Sequence, residues 1–365
     1  MSLPAVAQVP AAPSPAIASE RIVPWAPRTG RARPVVAVVG ENAGTELVDF
    51  MIPYAVIADS GVADVVALST RPGAIRMRPS LRVQPQQTIG EFDATTPLGA
   101  DYVIVPAVTE QDVRDPVLLA WLRDQSAKGA TVVSICDGAL VVANAGLFEG
   151  RRATGHWATR SRREDEHPGT RWSSNTRWVA DGNVVSSAGV SAAIPTALAL
   201  VEAMGGIDAA TRTAARLGAS GWNTAHDSAQ FHIGVDAITT YIGNRYLRPD
   251  ERLAIPVADG VDDIALSLTL DAYGRTMRSP VAITTTEGAT PRTSHGLILL
   301  PPLVPAGPAG PAGPAGPAAR ILALPEGPSL EALDRALADI GKRYGAATER
   351  YVALEMEYPP AYAAR

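Results

Sequence analysis

Cysteine is nearly missing from this 365-residue chain. Cys136 stands alone, so no internal disulfide exists, and any role it has rests on a thiol or on a small apolar side chain. Aromatic residues make up only 5%, which leaves Ala, Val and Leu to fill the cores. An excess of positive charge is also lacking. The formal net charge is −5, with 18 Lys+Arg against 20 Asp+Glu in residues 1–206 and 14 against 17 in residues 207–365. Neither half carries the basic footprint of a nucleic-acid binder. No apolar run reaches the roughly 18 residues of a spanning helix, and no convincing signal peptide opens the sequence. The expectation is a soluble, cytoplasmic protein without membrane or nucleic-acid partners, unless an upstream start adds a membrane anchor to the Pro/Ala-rich leader.

What is present is a globular composition, 46% hydrophobic and 19% charged, long enough for two domains. Residues 1–34 are rich in Pro, Ala and Ser and read as a disordered leader. From Val35 the pattern alternates. Apolar runs at Val35–Val39, Ala63–Leu68, Leu81–Val83, Tyr102–Val105 and Thr131–Ile135 are separated by helical stretches at about 46–60 and 115–128. Such alternation predicts an α/β domain over 35–206, a parallel sheet covered by helices on both faces. Residues 207–250 read as a helical connector.

The chain also resembles itself at a shift close to 216. LAIPVADGVDDIALSLTLDAYG (253–274) aligns with 35–61, VAITTTEGA (281–289) with 65–74, Leu297–Pro301 with Leu81–Pro85 and Ile321–Leu324 with Val103–Val105. A helix at Leu330–Tyr344 aligns with 115–128, and Tyr351–Met356 with the strand Thr131–Ile135. Residues 251–365 are therefore expected to form a degenerate second α/β unit, a decayed copy of the first, interrupted by the Pro-Ala-Gly linker loop at 303–319. Two unrelated units with a common element order are the alternative.

The stretch TVVSICDGALVVANAGL (131–147) carries the chemistry. A buried strand ends at Cys136 and an apolar helix begins at once, a turn that lifts the side chain out of the sheet and sets the following N–H groups and the helix dipole against it, favouring thiolate. Cys136 is thus a nucleophile candidate, with a buried small hydrophobe as the bland alternative.

SICDGALVVANAGLFEGRRATGHW (134–157), VDFMIPYAVI (48–57) and VVSSAGVSAAIPTALALVE (184–202) together resemble the ThiJ/PfpI superfamily. This class I glutamine-amidotransferase-like group includes isonitrile hydratases, glyoxalase- and deglycase-type enzymes and the ligand domains of AraC-type regulators. The resemblance implies a flavodoxin-like fold, Cys136 as elbow nucleophile, Asp49 as the acidic residue leaning on its sulfur, and His156 as a neighbouring base. It implies oxyanion donors at the amides of Asp137 and Ala107, with Gly138 in the turn, and neither a metal nor an organic cofactor. Asp49 also suits the first turn of a helix, and His156 beside Trp157 also suits a packed histidine. Asp137 replaces the family's Thr or Ala, and Pro106-Ala107-Val108 replaces its Gly-Gly turn. Ala265 stands where Asp49 would recur, and the second unit ends in Glu357-Tyr358-Pro359-Pro360 without a cysteine.

Four other histidines, His167, His226, His232 and His295, read as solvated or without a ligand partner. Arg151, Arg152, Arg160, Arg162 and Arg163, followed by Glu164-Asp165-Glu166, read as a self-neutralising surface. The expected function is a cysteine-dependent hydratase or hydrolase of a small isonitrile or carbonyl electrophile. The alternative is a noncatalytic ligand or redox sensor related to AraC-type ligand domains but without their DNA-binding part. In either case the two units are expected to pair as an intramolecular pseudo-dimer, or the chain as a homodimer.

Overall fold

The computed structural model describes residues 20–27, 30–286, 289–300 and 319–359. Seven strands form the central sheet: β1 (Val35–Gly40), β2 (Asp64–Ser69), β3 (Gln87–Thr88), β4 (Tyr102–Val105), β5 (Thr131–Ser134), β6 (Trp178–Asp181) and β7 (Val184–Ser187), in the order β6-β7-β5-β4-β1-β2-β3. All neighbours run parallel except the β6–β7 hairpin. The order β2-β1-β4-β5-β7 is that of flavodoxin-like sheets. The inner strands are unbroken apolar runs because both faces are covered. Val36, Val38, Ile104 and Val133 face α1 (Leu47–Ser60) and α4 (Ala193–Gly205), while Ala37, Val39, Val103 and Val132 share a core with α2 (Pro116–Ala127) and α3 (Gly138–Asn144). Asp115 starts α2 by accepting the Val117 and Leu118 N–H groups, each at 2.9 Å, with Pro116 in the first turn.

A second, three-stranded parallel sheet holds β8 (Leu253–Pro256), β9 (Val281–Thr284) and β10 (Arg320–Ile321) in the order β9-β8-β10, the neighbour order of β2-β1-β4. After α5 (Ile207–Leu217) in the connector, helix α6 (Asp263–Gly274) follows β8 as α1 follows β1, and α1 packs against α6. The run Leu81–Val83 lies outside the central sheet, in a four-stranded sheet, where Leu81–Gln84 pairs antiparallel with Ile298–Leu299. Leu299 sits opposite Val83, so two segments aligned by the internal comparison pair with each other.

One expectation fails. Tyr351–Met356 is no strand: α7 (Ala332–Tyr344) leads into α8 (Ala346–Glu355). Thr348, Tyr351 and Val352 form its buried face at helical spacing, and β10, only two residues long, offers little edge for a further strand. The leader expectation also changes. Ile22 is buried, the Trp25 N–H donates to Ala203 O at 2.8 Å, and the Trp178 indole donates to Glu20 O at 3.2 Å, so residues 20–26 pack on the sheet edge. Residues 1–19 and the Pro-Ala-Gly stretch through residue 318 lie outside the described residues. No helix among the described residues is long and apolar enough to cross a membrane.

Candidate functional site

Cys136 sits two residues beyond β5 at φ 56°, a left-handed conformation that costs a non-glycine residue energy and holds its side chain at a sharp bend. The bend is fixed on every side. Ile135 N donates to Val105 O at 3.0 Å, Cys136 N to Ala188 O at 3.2 Å, Gly138 N to Ile135 O at 2.8 Å and Ala139 N to Cys136 O at 3.3 Å. Among the described residues this set leaves out the Asp137 N–H, the amide assigned to an oxyanion. Gly138 is required by contact: a Cβ there would lie 2.0 Å from the Val105 carbonyl oxygen.

Asp49 lies in the first turn of α1, fully buried. Its Oδ2 accepts the Ala107 N–H at 3.1 Å, and its Oδ1 has no hydrogen-bond partner. The Ala107 amide, expected to serve an oxyanion, is therefore committed to Asp49. Glu46 N donates to Ala107 O at 2.8 Å, which ties the 106–108 loop to the start of α1. Burial, and then the nearby Glu46, push the Asp49 carboxyl well above the ordinary range.

The Cys136 Sγ, an Asp137 carboxylate oxygen and a His156 ring nitrogen lie within 4.8 Å of one another. His156 is buried, and its Nε2 has no hydrogen-bond partner. Asp137 Oδ1 accepts the Thr159 hydroxyl at 2.5 Å and lies 3.7 Å from the Arg163 guanidinium. Arg160 and Arg162 pair with Glu164 and Glu166 as a solvated face should, but Arg163 does not. It is buried over the Trp172 ring, 5.2 Å from its centroid, and donates to His156 O and Thr159 Oγ1. The thiol also differs from expectation. Burial, then the carboxylates of Asp49, Asp137 and Glu46, hold Cys136 well above the ordinary thiol value, outweighing the pull of a helix start toward thiolate. Thiol, imidazole and carboxylate form a donor set that suits zinc, although the Arg163 cation beside Asp137 opposes a dication there.

This arrangement has known relatives. The model of the DJ-1/PfpI family matches residues 35–203. Residues 35–203 form a DJ-1/PfpI family domain. Isonitrile hydratase from Pseudomonas putida is 37% identical over 99 residues, 27% of this chain and 42% of that protein. The HTH-type transcriptional regulator CdhR from Pseudomonas aeruginosa is 36% identical over 86 residues, 24% of this chain and 25% of that protein. The matched stretches thus span less than half of either relative. Among solved structures, Drosophila melanogaster DJ-1beta superposes with a TM-score of 0.47 at 19% identity, covering 52% of this chain and 99% of that one. An AraC family transcriptional regulator from Pseudomonas putida gives 0.43 at 18%, covering 50% and 97%.

A residue from the C-terminal segment lies against the residues around His156. Glu357, just beyond α8, turns back at φ 51°, and its buried carboxylate reaches the elbow. Oε2 accepts the Gly189 N–H at 2.8 Å and the Trp157 N–H at 3.2 Å, while Oε1 lies 2.7 Å from His226 Nε2. The Glu357 carbonyl accepts the Ser191 hydroxyl at 2.7 Å, and His156 Nε2 stands 3.9 Å from Oε2. Gly189 follows Ala188, whose carbonyl holds the Cys136 N–H, so Glu357 is linked to the cysteine turn through the 188–189 backbone. Sequence reasoning missed this residue: nothing local marks it, because its partners are 131 to 200 positions away.

His226, read as lacking a partner, is stacked on Phe231 at 5.2 Å and bonded to Glu357. His295 is not solvated either: its Nδ1 lies 2.6 Å from Asp263 and its Nε2 3.6 Å from Asp59. His167 is half-buried, and burial lowers its pKa. His232 is exposed.

Proposed function

We propose that the DJ-1/PfpI domain is a cysteine-dependent hydratase or hydrolase of small electrophiles, isonitriles or carbonyl compounds, working through a covalent bond to Cys136. The observation that carries this reading is the left-handed elbow at Cys136 with the unpartnered His156 Nε2 beside it. Because burial and carboxylates keep the sulfur a thiol, attack requires a proton acceptor, and the His156 imidazole beside the sulfur takes that role in this reading. With an isonitrile, Sγ bonds to the terminal carbon while its proton passes through His156 to that carbon, giving a thioimidate. Water then adds to the same carbon, the C–S bond breaks, the thiol regains its proton and an N-substituted formamide leaves. With an aldehyde or amide, the Asp137 N–H is the donor for the developing oxyanion. The C-terminal unit walls the site as the second half of a pseudo-dimer, with α6 on α1 and Glu357 at the elbow. The test is turnover of cyclohexyl isonitrile and of methylglyoxal by the full chain, followed by NMR. Formamide or hydroxy-acid production that Cys136→Ala abolishes supports the reading, and absence of turnover with either substrate overturns it.

A second reading, a noncatalytic small-molecule sensor, draws on the burial of the thiol, which is only 5% exposed. Saturable binding of a small molecule that is released unchanged, with Cys136→Ala binding as well as the wild type, favours it.

A further inference from the structure

The charges around Cys136 are not balanced on the side that a substrate would meet. Asp137 brings a carboxylate to the turn and Glu357 brings one beside His156, and the cations nearby are already engaged. Arg163 is committed to Asp137, the His156 carbonyl, Thr159 and the Trp172 face, and the His226 ring is bonded to Glu357. Arg275, whose charge is felt at Cys136, is paired with Asp271 and Glu46. Two backbone N–H groups beside His156, those of Gly189 and Trp157, both donate to Glu357. An incoming carboxylate would find these two donors taken and a like charge in the seat.

We infer that Glu357 is a specificity-determining residue: supplied by the C-terminal unit, it makes the Cys136 site select neutral electrophiles and reject anionic ones of the same shape. This rests on the reading of Cys136 as the reacting atom. Its geometric basis is the seat itself, a buried carboxylate on two N–H donors and one imidazole, 3.9 Å from Nε2 of the His156 ring that neighbours the sulfur. Like charges held this close in a partly desolvated site repel strongly. A glutamine there keeps the shape and removes the charge.

The test uses two reagents that differ in charge and little in size, iodoacetamide and iodoacetate. Each reacts with Cys136 by forming an S–C bond as iodide leaves and the thiol proton goes to solvent, and because Cys136 is the only thiol, intact mass reads the reaction without ambiguity. The ratio of the two rate constants cancels the thiolate fraction and any opening of the site. The same chain unfolded in urea supplies the reference ratio. The native chain is expected to favour iodoacetamide over iodoacetate by about tenfold more than the unfolded chain, a difference of about 1.4 kcal/mol. Glu357→Gln is expected to remove most of that preference. A native ratio equal to the unfolded one overturns the proposal even if Glu357→Gln fails to fold, and so does a folded Glu357→Gln that keeps the native ratio. Reaction with neither reagent overturns it together with the nucleophile reading, whereas an unchanged ratio at a reactive Cys136 leaves that reading standing.

Discussion

Gly138 and the Val105 carbonyl are in contact at the heart of the elbow, so close that a Cβ on residue 138 would lie 2.0 Å from the carbonyl oxygen and 3.0 Å from Pro106 C. Both obstacles are backbone, β4 is a central strand, and neither side yields without moving the cysteine turn. Gly138→Ala is therefore expected to lower stability by about 3 kcal/mol, the upper range of overpacking effects, as read from urea unfolding. A loss below about 0.5 kcal/mol, the scale of an ordinary surface substitution, contradicts this contact.

The thiol at the elbow is the next expectation to check. Burial, and after it Asp49, Asp137 and Glu46, raise the Cys136 pKa, so alkylation by iodoacetamide is expected to titrate above the ordinary thiol value of about 8.5. Replacing a carboxylate by an amide removes one of the charges that disfavour thiolate. Asp137→Asn and Asp49→Asn are each expected to shift the rate profile to lower pH. A midpoint that moves upward in Asp137→Asn would show that the carboxylate serves the thiolate instead, by orienting Thr159 and Arg163.

These expectations also mark what was legible in the sequence. The unbroken apolar strands β1, β4 and β5 could be read directly because a parallel sheet buried on both faces leaves no polar alternation. The elbow was legible because strand, cysteine, glycine and helix follow one another within a few residues. Tyr351–Met356 was misread because Tyr-Val-Ala-Leu-Glu-Met fits either period, and its context decided for α8. Arg163 was hidden in a charge run whose other members do face solvent. Glu357 had no local mark at all, since a contact that spans the two units belongs to tertiary packing.

A buried charge cluster stitches those units together. The Arg275 guanidinium on α6 donates to Asp271 at 2.9 Å and to Glu46, the residue before α1, with Glu355 at 4.0 Å. Burial raises the Asp271 pKa to about 7. Removing the cation would leave carboxylates facing one another with little water, so Arg275→Met is expected to cost about 3 to 5 kcal/mol in urea unfolding. Replacing Asp271 by Leu in the same chain removes one of the stranded charges and is expected to recover part of the loss. Equal stability of the single and double variants would show that Asp271 and Arg275 do not interact.

His295 gives the same boundary a pH dependence. Burial alone would lower its pKa, but its hydrogen bonds to the Asp263 and Asp59 carboxylates, with their charges, outweigh it and raise the value to about 9. On the other side of the pair, burial would raise Asp59, yet its bonds to His295 and Arg216 keep it below the ordinary carboxylate range. A histidine protonated more tightly in the folded state stabilises fully below its unfolded pKa of about 6.5, and the contribution disappears as pH rises through the folded value. The difference in unfolding free energy between wild type and His295→Gln is therefore expected to be on the order of 2 kcal/mol at pH 6 and to fall steeply by pH 9.5. Since His295 lies between Asp59 at the end of α1 and Asp263 at the start of α6, the loss belongs to the joint between the units. A difference that stays constant from pH 6 to 9.5 would mean that the imidazole holds this joint by shape and hydrogen bonding without its charge.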